Sequence, residues 1–247
     1  MRGLRKLIAT ECTLVRRDLA AVLLPFLLPV GLMVGFGSAP TLREAAPEFG
    51  GMSAFEVHIV PIALVLVLPL LGLMVLPVTL ATYRERGVLR RLATTPLHPA
   101  SVLLAQLAVH LGLLTASLGV TATVARLAFD VAAPRRPLVS LGLLALGTVA
   151  IYTLGLAVAA LAPRAGTATA VSMGLFFPQL LVGGLMVPAD QLPDLLARIG
   201  ELTPVGATMR GIQDAWTGTA PPAMALLVLL AWTAAAMTVA VRRFRWD

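Results

Sequence analysis

Six long apolar runs constrain this chain more than any other feature. They cover roughly 19–36, 57–82, 101–125, 138–162, 167–187 and 223–241, and none holds an internal Asp, Glu, Lys or Arg. A bilayer-spanning helix needs about 20 apolar residues, whereas a soluble core of this size has no use for so many uninterrupted runs. With 58% hydrophobic and 13% charged residues among 247, the chain reads as one all-α polytopic membrane domain of six transmembrane helices. The first run is too long and too proline-rich for a cleaved leader and reads as a retained helix.

Six spans put both termini on one side, and the basic residues choose which. Thirteen fall on the side of the termini: Arg2, Arg5, Lys6, Arg16, Arg17, Arg84, Arg86, Arg90, Arg91, Arg164, Arg242, Arg243 and Arg245. Six fall opposite: Arg43, Arg126, Arg135, Arg136, Arg198 and Arg210. The positive-inside rule therefore predicts cytoplasmic termini, with the segment RLAFDVAAPRRP pulling the other way. Residues 1–18, read on into the first span, place Leu4, Leu7, Ile8, Cys12, Val15 and Leu19 on one stripe. That suits an amphipathic interface helix; a plain extension of the first span is the alternative. Pro61, Pro69 and Pro77 in the second span mark either a hinge or the ordinary proline content of membrane helices.

Several chemistries are missing. A phosphate-binding P-loop needs a lysine, and the only lysine, Lys6, follows no glycine-rich loop. Neither G-x-S-x-G nor H-E-x-x-H occurs, and the single Cys12 excludes an intrachain disulfide or a cysteine-based metal site. Few aromatics, none interleaved with basic residues, speak against nucleic acid as a partner of the +7 charge. No catalytic residue or metal ligand set is expected. Within the spans the strongly polar candidates for a translocation path are Gln106, His110 and Gln179. For His110 the competing role is a hydrogen bond to a neighbouring helix. An ion-coupled transporter ordinarily carries a carboxylate inside its spans; a scaffold or immunity protein is the other alternative to an externally powered transporter.

Two segments carry a family resemblance. YRERGVLRRLATTPLHPASVLLAQL, from Tyr83, resembles the segment after the second span in the ABC-2-type exporter permeases. FFPQLLVGGLMVPADQLPDLLARIGELTPVGATMRGIQDAW, from Phe176, resembles their fifth span and the outer segment before the last one. The resemblance implies a permease that pairs with a second copy or a related permease in a bacterial plasma membrane. Each would dock a separate ATPase subunit holding ATP and Mg, so this chain would bind no cofactor itself. The exported compound would be hydrophobic or amphipathic, such as a drug, antibiotic or lipid. By position, Arg84, Glu85, Arg86, Gly87, Arg90, Arg91 and Leu92 would form the ATPase-coupling loop, and Arg164 a second cytoplasmic contact. The loop arginines also suit anionic lipid. The outer segment with Pro188, Leu192, Pro193, Leu196 and Pro204 is expected as a short re-entrant helical pair or a simple amphipathic cap.

Overall fold

A computed structural model describes residues 11, 13, 19–87 and 100–243. Except for Glu11 and Thr13, which are helical, the interface helix expected over 1–18 lies outside the described residues. Six apolar helices form the bundle. In chain order the helices are α1 (Leu19–Gly37), α2 (Phe55–Glu85), α3 (Ala100–Phe129), α4 (Pro137–Leu161), α5 (Ala165–Val182), α6 (Asp194–Glu201), α7 (Pro204–Thr217) and α8 (Ala223–Arg243). The short α6 and α7 lie between the fifth and sixth long helices. Among the described residues there is no strand, only an isolated bridge between Ala45 and Ser53.

Burial sorts these helices. The most apolar stretches of α2 and α4 are 78% buried, against 28% for α5 and for α8. Thus α2 and α4 form the centre, while α3, α5 and α8 turn Leu104, Phe177 and Leu227 outward. Exposed leucines of this kind are what a lipid-facing surface requires, because lipid tails are as apolar as Leu and give no reason to hide it.

Without a hydrophobic drive between helices, close backbone contact holds such a bundle together. At the α2–α4 crossing a Cβ added to Gly155 would lie 1.9 Å from the carbonyl oxygen of Gly72. One added to Gly72 would lie 2.8 Å from the Tyr152 ring. Two glycines facing each other let the backbones touch.

The prolines of α2 alternate with π-helical turns. Leu70–Val75 is a π segment, followed at once by the α segment Leu76–Glu85 with Pro77 in its first turn. Phe55–Ile59 is a second π segment, and Pro61 opens the α segment after it. Proline lacks the N–H that a continuing helix would donate, and an early helical position is where that loss is smallest. In α1 the same deficit is met from outside. Pro29 cannot donate to the Pro25 carbonyl four residues back, and the Ser117 hydroxyl of α3 donates to it instead.

The molecule has two distinct ends. At one, α2 terminates beside the turn between α4 and α5, with Glu11 near it; this is the loop end. At the other, α6 and α7 form a cap on α5. A Cβ on Gly200 would lie 1.8 Å from the Val182 carbonyl oxygen, and one on Gly206 would lie 2.2 Å from that of Gly200. Glycine again permits the contact. Four of the six arginines at the cap end are engaged within the chain. Arg126 pairs with Asp130 at 3.0 Å and Arg210 pairs with Glu201. Arg135 donates to the carbonyls of Thr217 and Gly50, both at 3.1 Å, and Arg43 lies over the Phe129 ring.

Candidate functional site

The residues that join the most elements are three in a row at the loop end of α2. Successive side chains on an α-helix point about 100° apart, because 3.6 residues make a turn. Tyr83, Arg84 and Glu85 therefore radiate in three directions, and each meets a different neighbour. The Tyr83 hydroxyl donates to Oε2 of Glu11 at 2.7 Å. Arg84 Nη1 donates to the carbonyls of Ala159 at 3.1 Å and Ala162 at 3.0 Å. Glu85 Oε2 accepts from the Ala165 amide at 3.1 Å.

Each pairing has an electrostatic reason. The last carbonyls of a helix lack intrahelical donors, and Pro163 cannot supply an N–H to Ala159. A guanidinium at this negative end of α4 satisfies them, while the carboxylate of Glu85 meets the positive end of α5. Consecutive opposite charges on α2 thus clamp a helix–turn–helix whose two ends carry the complementary partial charges. Arg86 and Gly87 then end α2. The Arg86 amide donates to Thr82 and the Gly87 amide to Arg84, both at 3.0 Å, with Gly87 at φ +65°. That left-handed conformation after a helix favours glycine.

The seven residues expected in the coupling loop therefore divide. Arg84, half-buried, and Glu85, at the surface, both bond to the α4–α5 turn, while Arg86 is exposed and Gly87 stops the helix. Arg90, Arg91 and Leu92 lie outside the described residues. Arg164, expected as a second contact, is exposed in the turn that Arg84 and Glu85 hold.

Glu11 is the residue that sequence reasoning missed. It is 4% exposed, and its Oε2 accepts from Gln106 Nε2 at 2.6 Å as well as from Tyr83. The signal was its register: Glu11 follows Leu4 and Ile8 and precedes Val15 at spacings of three or four, so a carboxylate interrupts the apolar stripe itself. Burial raises its pKa above the ordinary 4.5, opposed by the hydrogen bonds from Tyr83 and Gln106. The folded state thus holds this proton more tightly than the unfolded chain. Stability at the junction falls as pH rises from the ordinary value through the raised one. At pH 8, Glu11→Ala should lower stability by about 1–3 kcal/mol, because the buried Gln106 and the half-buried Tyr83 lose their acceptor. Glu11→Gln, which keeps an acceptor and carries no charge, should melt at or above the wild type. Thermal unfolding in detergent, followed by tryptophan fluorescence, measures both.

Gln106 and His110 lie one turn apart on the inward face of α3, fully buried. The His110 Nδ1–H donates to the Gln106 carbonyl at 2.8 Å, and the Tyr152 hydroxyl of α4 donates to the His110 carbonyl at 3.3 Å. Gln179 is also buried, on α5, and no hydrogen bond joins its side-chain oxygen to either.

At the cap end, the five residues singled out in the outer segment serve as helix punctuation and surface. Pro188 precedes the short turn Ala189–Gln191, Pro193 precedes α6, and Pro204 opens α7. Thr203 caps α7 by accepting from the Gly206 amide at 3.1 Å. Leu192 and Leu196 are half-buried, while Leu195 and Ile199 on α6 are exposed. Beneath the cap lies an open cleft of about 610 Å³, lined in part by Phe49, His58, Glu201, Arg210, Gln213 and Asp214. Gln213 Nε2 donates to His58 Nδ1 at 3.0 Å. Burial raises the pKa of Asp214, against the Thr219 hydroxyl and the charge of Arg210.

Long apolar helices, a backbone-packed centre and a clamped loop end define an all-α polytopic membrane protein. A family model described as ABC-2 type transporter matches residues 3–216. The chain belongs to the ABC-2 type transporter family, and it is the membrane subunit of an ABC transporter. No curated protein matches it.

Proposed function

We propose that this chain is the permease of an ATP-driven exporter in a bacterial plasma membrane, with both termini cytoplasmic. It moves a hydrophobic or amphipathic compound outward, such as a drug, an antibiotic or a lipid-like molecule. ATP and Mg belong to a separate ATPase subunit, which docks on the loop after α2. The observation that carries this reading is the radiating triad Tyr83–Arg84–Glu85. A force applied to the segment following Gly87 reaches, through three adjacent side chains, the N-terminal helix, the end of α4 and the start of α5. Such a junction suits a chain that receives mechanical work from outside.

The engaged arginines of the cap end support the orientation, since their presence there has a local structural reason. Glu11 does not favour an ion-coupled transporter. Its carboxylate sits at the end of the bundle, held by two donors, and not midway along a span. A role for Gln106 and His110 in the path requires α3 to move off α2 and α4 during the cycle. A second permease copy would cover the exposed apolar side of α5 on which Met173 and Phe177 face outward. A cysteine replacing Leu196 should then cross-link to its counterpart at the cap.

Reversing charge at Arg90 and Arg91 together should weaken co-purification of the ATPase about tenfold, within the range of an interfacial charge pair. Unchanged association and transport would remove both residues from the docking role.

A further inference from the structure

We infer that the groove between α4, α5 and α8 is a binding site for an acyl chain of an anionic phospholipid, its phosphate held by Arg164, Arg242 and Arg243. The groove encloses about 340 Å³, and its walls include Leu161, Val171, Leu175, Trp232 and Val239, with no charged side chain among the described residues that line it. Ala157, Ala162 and Ala236 are buried there, and their small side chains make the hollow. Leu161 and Val171 on its walls are exposed, so the groove opens on the lipid-facing surface. Water entering it would find almost no polar partner. An empty hollow would forfeit dispersion contacts along its whole wall. A hydrocarbon chain supplies them. From Trp232 to Val239 the groove runs about 10 Å at the helical rise, within the roughly 15 Å depth of one leaflet's hydrocarbon.

The two ends of the groove differ in charge, and this sets both the lipid and its direction. At the end toward the cap, the Trp232 indole N–H donates to the Leu202 carbonyl at 2.8 Å and is already satisfied. At the loop end, Arg164 lies three residues before the lining Thr167. Arg242 and Arg243 follow Val239 by three and four residues, on the same helical face. All three arginines are exposed. Among the described residues at this end Glu85 carries a carboxylate, which accepts from the Ala165 amide. Three guanidiniums at the mouth of a neutral groove therefore complement a phosphate that carries net negative charge, in preference to a zwitterionic headgroup.

This inference needs only the membrane setting of the bundle and stands apart from the transport reading. It can be tested with the full chain in nanodiscs of phosphatidylcholine, titrated with phosphatidylglycerol or phosphatidylcholine brominated on the acyl chain. The signal is the part of tryptophan quenching that Trp232→Phe abolishes. Brominated phosphatidylglycerol should quench it half-maximally at a mole fraction about fivefold lower, or less still, than brominated phosphatidylcholine needs. R164Q/R242Q/R243Q should bring the two curves together, and Ala235→Phe, which fills the groove from its exposed side, should weaken both. Equal curves for the two lipids on the wild-type chain would overturn the proposal, leaving an ordinary boundary lipid. Absence of Trp232 quenching by either lipid, with an Ala235→Cys variant cross-linking to a second copy, would also overturn it by assigning the groove to a protein interface.

Discussion

Replacing Gly155 by valine should prevent the bundle from closing. The first atom of the new side chain would fall 1.9 Å from the Gly72 carbonyl oxygen, and the obstacle is backbone on both sides. No rotamer change relieves it. Overpacking a well-filled core ordinarily costs about 1–3 kcal/mol, and separating α2 from α4, the two most buried helices, should exceed that range. Purified G155V should elute as aggregate or melt far below the wild type in detergent. Gly142→Val in the same helix is the control, since nothing lies within 4 Å of its added Cβ. If G155V and G142V melt alike, the glycine crossing does not organise the bundle.

Replacing Arg84 by alanine should separate folding from energy coupling. The change strips donors from the Ala159 and Ala162 carbonyls, at about 1.5–3 kcal/mol for a hydrogen bond to a charged group, and nearer the lower figure at a half-exposed site. The central glycine contacts and the main core lie elsewhere, so R84A should still insert and purify. It should still bind the ATPase, because the segment after Gly87 is intact. Cargo stimulation of ATP hydrolysis should fall about tenfold, within the usual 1–3 kcal/mol span of a coupling free energy. Glu85→Gln, which removes only a charge facing the N-terminus of α5, should do the same more weakly, at about 0.3–1 kcal/mol. An R84A chain that couples as well as the wild type would show that α2 and the α4–α5 turn move independently.

What was legible in the sequence, and what was not, follows from the range of the forces involved. Each span announces itself because hydropathy is a local property, summed over a single helix. Gly87, which ends α2, and Pro204, which opens α7, act locally in the same way, on their own backbone. The junction at the loop end was not legible. Its bonds join residues 72 to 95 positions apart, Glu11 to Tyr83 and to Gln106, and 75 to 80 apart where α2 meets the α4–α5 turn. No periodicity encodes such distances. Charge in the Arg84–Arg91 stretch drew attention to the region while hiding that its first two charges bond to the α4–α5 turn of the same chain. Gly155 likewise looks like any small residue in YTLGLAVAAL; only the crossing with Gly72 shows why a side chain is forbidden there. The arginines of RLAFDVAAPRRP weighed against the topology as bare counts, and the bonds of Arg126 and Arg135 explain their presence.

The central claim is that this membrane bundle is worked from outside, by an ATPase gripping the loop that continues α2. Reconstitution of the chain with an ABC ATPase subunit that co-purifies with it tests this most directly, by ATP hydrolysis in vesicles with and without a panel of hydrophobic and amphipathic compounds. At least one compound should accelerate hydrolysis and accumulate on the far side of the membrane, and the R84A chain should lose that acceleration while keeping the ATPase bound. Hydrolysis that ignores every compound and is unchanged by omitting the chain would contradict the account.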